Sequence, residues 1–265
     1  MKISEIIDYL HEVAPNHFQE EYDNSGLLVG NADNEATAAL ISLDVTEEIL
    51  DEALALNANM IISHHPIIFG GLRRLTGRNY VERIVAKAIK NDIALFAIHT
   101  NLDNVYQNGV NLNIAERLNL KNIRILQPKE KLTYLDQNVG AGVIGDLENP
   151  VEETFFLKEL KRKMEAQSVK YTALLNKPIR KVALCGGSGR FLLEEAKRQK
   201  ADIFISSDFK YHEFFDADNQ IVIADIGHFE SEQFTIQMLY KILTKKFNNF
   251  ALHYTKVNTN PVNYL

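Results

Sequence analysis

Three short motifs place imidazoles and carboxylates directly after apolar runs. His64-His65-Pro66 closes the run N-M-I-I-S, and His99 closes I-A-L-F-A-I with Asp103 four residues on. His228 follows I-V-I-A-D-I-G with Glu232 four residues on. Imidazole nitrogens and carboxylate oxygens are the donor set of a divalent transition-metal site. Adjacent residues at a strand end point in different directions, so His64 and His65 reach one metal each more easily than they chelate the same one. Pro66 stops the strand and stiffens the turn. If a helix starts near Gly227, His228 and Glu232 share one face within a single turn, and the Glu232 carboxylate can bridge two ions. In the second pair Asp103 is the better ligand candidate. His99 either ligates or orients substrate or a bound water from outside the ligand set. Each motif alone also fits a structural role, such as a hydrogen-bonded histidine pair or a first-turn acid favoured by the helix dipole. The repeated i, i+4 spacing weighs against that, because chance would have to produce it twice.

Other residues are candidates by position. Asp208, Lys210 and His212 follow D-I-F-I-S-S in the second half, where His64 and His65 stand in the first. Lys210 repels a cation, so this stretch reads as substrate-facing. His212 is a candidate proton donor or acceptor near neutral pH, with a structural role equally open. Arg73 and Arg74, with Thr76, lie a few residues beyond the histidine pair. They suit phosphate or carboxylate recognition, or are simply solvated. C-G-G-S-G (185–189) lacks the spacing of a dinucleotide fingerprint and the lysine of a P-loop. It reads as a tight strand-to-helix turn that lets the backbone approach the site. Cys185 is the single cysteine. It excludes an intramolecular disulfide and reads as a small core residue rather than a nucleophile.

The elements that position these residues form an internal repeat. A-A-L-I-S-L-D, N-M-I-I-S and I-A-L-F-A-I in the first half correspond to K-V-A-L-C-G-G, D-I-F-I-S and I-V-I-A-D-I in the second. Between the strands lie helical patterns: 3–13 with Ser4 as a possible N-cap, a stretch after Val45 capped by Thr46, 80–91, 108–120, 151–165 and Q-F-T-I-Q-M-L-Y-K-I-L-T-K-K-F. The alternation predicts an α/β fold of two similar βα-repeat lobes, 1–125 and 126–265, with mostly parallel sheets, the last helix packing back on the first lobe and the metal site between the lobes. The middle, 121–180, breaks the rhythm, with a strand expected at 139–145.

An apolar fraction of 46% and a charged fraction of 24% are ordinary for a globular enzyme. A net charge of −6 gives nothing that draws the whole molecule to nucleic acid or an anionic membrane. No window supplies the roughly 18 apolar residues of a membrane span. The N-terminus reads as an amphipathic helix and not a signal peptide, so a cytoplasmic location is expected.

D-N-S-G-L-L-V-G, S-H-H-P-I-I-F, H-T-N-L-D, G-G-S-G, K-Y-H-E and G-H-F-E-S-E together resemble the YbgI-type dinuclear metal-binding proteins, the GTP cyclohydrolase 1 type 2 homologues. The motifs run through nearly the whole chain in the family's order. The resemblance implies five metal ligands, His64, His65, Asp103, His228 and Glu232, for two divalent ions. Zinc, iron, manganese, cobalt and nickel all suit such a set. It also implies a toroidal homohexamer. The implied function is metal-dependent hydrolysis of a small, phosphate-bearing molecule, with His99 or His212 moving protons and Arg73 or Arg74 holding phosphate. The alternative is a metal-binding, metal-delivery or scaffold protein without turnover. The chain departs from the family at Tyr22, where many members have tryptophan, and at Ser206-Ser207-Asp208, where many read T-G-D.

Overall fold

Sequence periodicity sets most of the elements. The computed structural model describes residues 1–129 and 139–265. Helix α1 is Ile3–Val13, followed by strands β1 (Gly26–Val29) and β2 (Ala39–Ser42), α2 (Glu47–Ala55), β3 (Met60–Ser63), α3 (Tyr80–Lys90) and β4 (Ala94–Ala97). Then come α4 (Thr100–Asn104), α5 (Val110–Arg117), β5 (Lys121–Pro128), β6 (Gly140–Val151), α6 (Glu153–Lys163) and β7 (Lys170–Tyr171). The chain closes with β8 (Ile179–Leu184), α7 (Leu193–Arg198), β9 (Ile203–Ser206), β10 (Val222–Asp225), α8 (His228–Glu232), α9 (Thr235–Lys246) and β11 (Leu252–Tyr254).

Local chemistry accounts for the helix starts. In α1, Ile3, Ile6, Ile7 and Leu10 are buried at helical spacing. Its N-cap is Lys2 rather than Ser4, because Glu5 accepts the Lys2 N–H at 2.6 Å. Thr46 caps α2 as expected, its hydroxyl accepting the Ile49 N–H at 3.3 Å. Glu152 opens α6 by accepting the Thr154 and Phe155 N–H groups at 2.8 and 2.7 Å.

The chain divides into two units, 1–102 with 235–261 and 103–234 with 262–265. The division differs from the sequence boundary at 125/126. It places α5 and β5 in the second unit, and α9 and β11 in the first.

The first unit holds a five-stranded sheet in the order β1-β4-β3-β2-β11. Its four strands β4, β3, β2 and β11 run parallel, and β1 adds antiparallel at the edge. The second holds a six-stranded sheet in the order β5-β6-β8-β9-β10-β7. Its centre β8-β9-β10 is parallel, while β5, β6 and β7 add antiparallel. Every residue of β2, β3, β4, β9 and β10 is buried. Strands covered on both faces read as continuous apolar runs, which is why the sequence reveals them. The core of the first unit includes Leu40, Ile61, Leu95, Ile49 and Ile84, and that of the second Ala183, Phe204, Ile223, Leu192 and Leu193. Each such large side chain contributes about 1.5–3 kcal/mol by burial, which fixes the strand ends from which the candidate ligands project. Among the described residues no helix is long and apolar enough to cross a membrane.

Candidate metal centre

The first unit gathers His64, His65 and His99 at the carboxyl ends of β3 and β4. The parallel ladder extends just past β3, where His64 and His65 donate backbone N–H bonds to the Ser42 and Leu43 carbonyls at 3.2 and 2.9 Å. Beyond Ser63 the chain bends, so the alternation of a strand no longer applies. The two rings therefore converge instead of pointing apart. The His64 and His65 centroids are 5.0 Å apart, and each lies 5.3 Å from His99. Nitrogen atoms of the three imidazoles, one from each, lie within 4.8 Å of one another. His64 is fully buried.

Each ring is held by an oxygen that can only accept. His64 Nδ1 donates to the Ile98 carbonyl, His65 Nδ1 to Asp44 Oδ1 and His99 Nδ1 to Asp23 Oδ1, all at 2.8 Å. A carbonyl or an ionised carboxylate cannot donate, so Nδ1 carries the hydrogen and Nε2 is the nitrogen each ring could offer to a metal. This is the outer support typical of metal-bound imidazole. Asp44 is itself fixed by the Thr259 hydroxyl at 2.6 Å. Asp23 accepts from the Thr100 N–H at 3.0 Å and the Ser25 hydroxyl at 3.0 Å. Burial raises the Asp23 pKa, but the hydrogen bond and charge of His99, with Thr100 and Asn24, outweigh it and hold the carboxyl well below the usual range.

The second unit builds its group around α8. His228 Nε2 faces Glu232 Oε2 at 3.1 Å across one helical turn, and His228 Nδ1 pairs with Asp208. Glu232 is buried. Burial disfavours the His228 charge, yet Glu232 and Asp208 prevail and push its pKa up to about 11. The same hydrogen bond from His228 lowers the Asp208 pKa. The glycine turn after β8 approaches as the sequence suggested. Gly187, at φ +60°, donates to the Ser231 hydroxyl at 2.8 Å. Gly186 donates to Asn111 Oδ1 at 2.9 Å, and Asn111 Nδ2 donates to the Asp103 carbonyl at 2.9 Å. Asp103 lies in α4, four residues after His99. A continuous set of hydrogen bonds thus ties the Asp103 backbone to the turn that packs on α8.

The remaining candidates stand on exposed segments. His212 is exposed on the short 3-10 helix Tyr211–Ala217, its ring packed near Tyr211 and Phe215 at centroid distances of 5.1 and 6.3 Å. Arg73 and Arg74 are exposed in the loop before α3. That loop is pinned by Glu82, which accepts from the Thr76 and Arg78 N–H groups at 2.9 and 3.1 Å. Sequence reasoning missed Asp23, Asp44, Asn111 and Ser231. Asp44 ends the apolar run of β2 plus Leu43, and Asp23 precedes β1, so an acid flanking a buried strand was the available signal.

The family model for Duf34/NIF3 (NGG1p interacting factor 3) matches residues 1–261. The chain belongs to this family. A NIF3 relative from Campylobacter jejuni, named a GTP cyclohydrolase 1 type 2 homolog, is 34% identical over 244 residues, 92% of each chain. A crystal structure of a Staphylococcus aureus hypothetical protein is 32% identical and covers 100% of this chain and 99% of its own, with a TM-score of 0.91. The structure of the protein ybgI is 21% identical, covers 99% of this chain and 100% of its own, and shares the fold at a TM-score of 0.83.

Proposed function

We propose that this NIF3-family chain is a metal-dependent hydrolase in which His64, His65, Asp103, His228 and Glu232 supply the protein ligands to two divalent ions. The observation that carries the reading is the way the His64, His65, His99 and His228 rings are oriented. Each directs Nδ1 at an acceptor, so Nε2 is the atom the ring could offer to a metal, for His228 once its second proton has left. The nitrogen-and-oxygen set fits zinc, iron, manganese, cobalt or nickel. When bound, such ions supply Lewis acidity.

The chain's own groups do the rest. Asp44 and Asp23 hold the His65 and His99 rings. His99, backed by the Asp23 carboxylate, ligates or moves a proton at Nε2, and exposed His212 is the second candidate for proton transfer. Arg73 and Arg74 hold an anionic group from a loop pinned by Glu82. The substrate class is a small phosphate-bearing or cyclic-amide-bearing molecule, and the name of the Campylobacter jejuni relative points to GTP as the first to test. Assembly as a homohexamer belongs to the same reading, and light scattering at micromolar concentration checks it.

The decisive experiment measures metal content by elemental analysis for wild type and Glu232→Ala, then turnover of GTP and other nucleotides with each metal. The reading expects about two ions per wild-type chain, fewer in Glu232→Ala, and turnover that stops on chelation and returns with metal. Equal metal content in both proteins refutes the ligand role of Glu232. Metal binding without turnover across the panel assigns the protein to metal storage or delivery instead.

A further inference from the structure

Asp225 ends β10, three residues before His228, and is 1% exposed. Neither the proposed ligand set nor the proposed proton-transfer residues include it. Its carboxylate nevertheless contacts three separate segments. Oδ1 accepts the Gly227 N–H at 3.1 Å, Oδ2 accepts the Phe209 N–H at 3.2 Å, and Oδ2 pairs with Lys170 Nζ at 2.8 Å. Gly227 is the N-cap of α8, the helix that carries His228 and Glu232. Phe209 directly follows Asp208, the residue that holds the His228 ring. One buried carboxylate therefore grips the backbone on both sides of the His228–Asp208 pair.

We infer that Asp225 is a positioning residue that sets the His228 imidazole for metal by fixing, through the Gly227 and Phe209 amides, the two loops that carry the ring and its Asp208 partner. A buried carboxylate is costly without partners. Here two backbone amides and a lysine compensate it, and the Gly227 contact closes a turn directly before α8. Gly227 sits at φ +92°, and a Cβ there would overlap Glu230 and stand 3.1 Å from the Tyr264 hydroxyl. The turn therefore leaves no room for a side chain at Gly227.

The inference rests on the metal reading above, and the test separates the two. Asp225→Asn keeps one acceptor oxygen and replaces the other with a donor, so in either orientation of the amide one of the Gly227 and Phe209 N–H groups loses its acceptor. Divalent-metal affinity should fall about 10–100-fold, the usual effect of removing a group that orients a ligand. Lys170→Met removes the ion pair but neither amide bond and should change affinity less than about 3-fold. Asp208→Asn should weaken metal binding comparably, and the double variant no further than the weaker single one, because both changes act on the same ring. Wild-type affinity in Asp225→Asn, or additive losses in the double variant, overturns the role of Asp225. A wild-type protein that binds no divalent ion removes both readings. Should Asp225→Asn fail to fold, amide exchange in the wild type decides. Slow exchange at Phe209 and Gly227 supports the grip, and fast exchange at both overturns it.

Discussion

Replacing Gly187 by alanine tests the glycine turn and Glu232 together. Gly187 has φ +60°, in the left-handed region, where an L-residue costs about 1–2 kcal/mol. The added Cβ would overlap Glu232 Oε1 and stand 3.3 Å from Glu232 Cδ and 3.4 Å from His228 Cε1. Glu232 is only 2% exposed, so its carboxylate has no open space to retreat into. It must rotate away from the position in which it faces His228 Nε2. Two consequences follow. Thermal stability in chelator should drop by roughly 2–8 °C, from a shift of about 2–4 °C per kcal/mol at this size. Metal affinity, read by competition with a chromophoric chelator, should fall by about 10–100-fold or more, because the carboxylate oxygens are displaced.

The neighbouring Gly186 supplies the control. A Cβ there meets Val110 Cγ1 at 3.0 Å and Ile114 Cδ1 at 3.2 Å, and Glu232 only at Cγ, 3.5 Å away. Gly186→Ala should lower the melting temperature through crowding, with little change in metal affinity. If Gly187→Ala loses stability yet binds metal as the wild type does, Glu232 is not a ligand and the site reasoning is wrong.

Other outcomes follow from the same geometry. In the metal-free protein His228 is raised from 6.5 to about 11, so its charged form favours the folded state. That contribution is complete below pH ~6.5 and is lost as pH rises toward ~11. A ligating imidazole must be neutral, so the logarithm of apparent metal affinity should rise by about one per pH unit across that window. Titrations at pH 6.5, 7.5 and 8.5 that give a flat profile count against ligation by His228. Asp44→Ala frees the His65 ring and should weaken metal binding about 10–100-fold, and an unchanged titration curve removes Asp44 from the site. The Glu82 pKa is lowered by the Thr76 and Arg78 amides, so its stabilising contribution is present above about pH 4.5 and fades as pH falls through the lowered value. Glu82→Gln should therefore melt below wild type at pH 7 and alongside it near pH ~3, and a gap independent of pH refutes the charge argument. If Arg73 and Arg74 hold a ground-state phosphate, replacing both by alanine should raise KM more than it lowers kcat, and an unchanged KM shifts the substrate class toward uncharged molecules.

Much of the architecture was legible because its strands are buried on both faces. Runs such as A-L-I-S, M-I-I-S and V-I-A-D admit few other readings, and the residues that follow them define where side chains can converge. The antiparallel additions were harder. β5 alternates between exposed and partly buried positions with only Leu126 fully buried, and β7 is two exposed residues. Neither carries the apolar signal of a core strand. Convergence of His64 and His65 was hidden for another reason. The strand ends at Ser63, one residue before the periodicity argument needed it to continue. Supporting groups such as Asp23 and Asn111 act across tens of residues of sequence, at 76 positions from Asp23 to His99 and 75 from Asn111 to Gly186, so no local pattern announces them.

The internal repeat gains a register from the ladders, and the register exposes how the two halves diverged. Ser63 pairs with Ala97 across β3 and β4, and Ser206 pairs with Asp225 across β9 and β10. The next ladder bond is also equivalent, Ile98 N–H to the Ser63 carbonyl at 2.9 Å and Ile226 N–H to the Ser206 carbonyl at 3.1 Å. Counting onward, His65 aligns with Asp208, and His99 falls two residues after Ala97 while His228 falls three after Asp225. Gly227, whose φ of +92° lets the chain turn before α8 begins, stands where His99 stands in the first unit. In the first unit Asp23 performs two tasks, holding the His99 ring and accepting the Thr100 N–H. In the second unit Asp208 holds the His228 ring, and Asp225 accepts a different pair of amides, Gly227 before the histidine and Phe209 after Asp208. Both helices start three residues after the aligned strand residue, α4 at Thr100 and α8 at His228, so His99 precedes its helix whereas His228 opens its own. Asp208 and Asp225 both bear on the His228 imidazole, one through its ring and one through the backbone just before it, so removing either should disturb it.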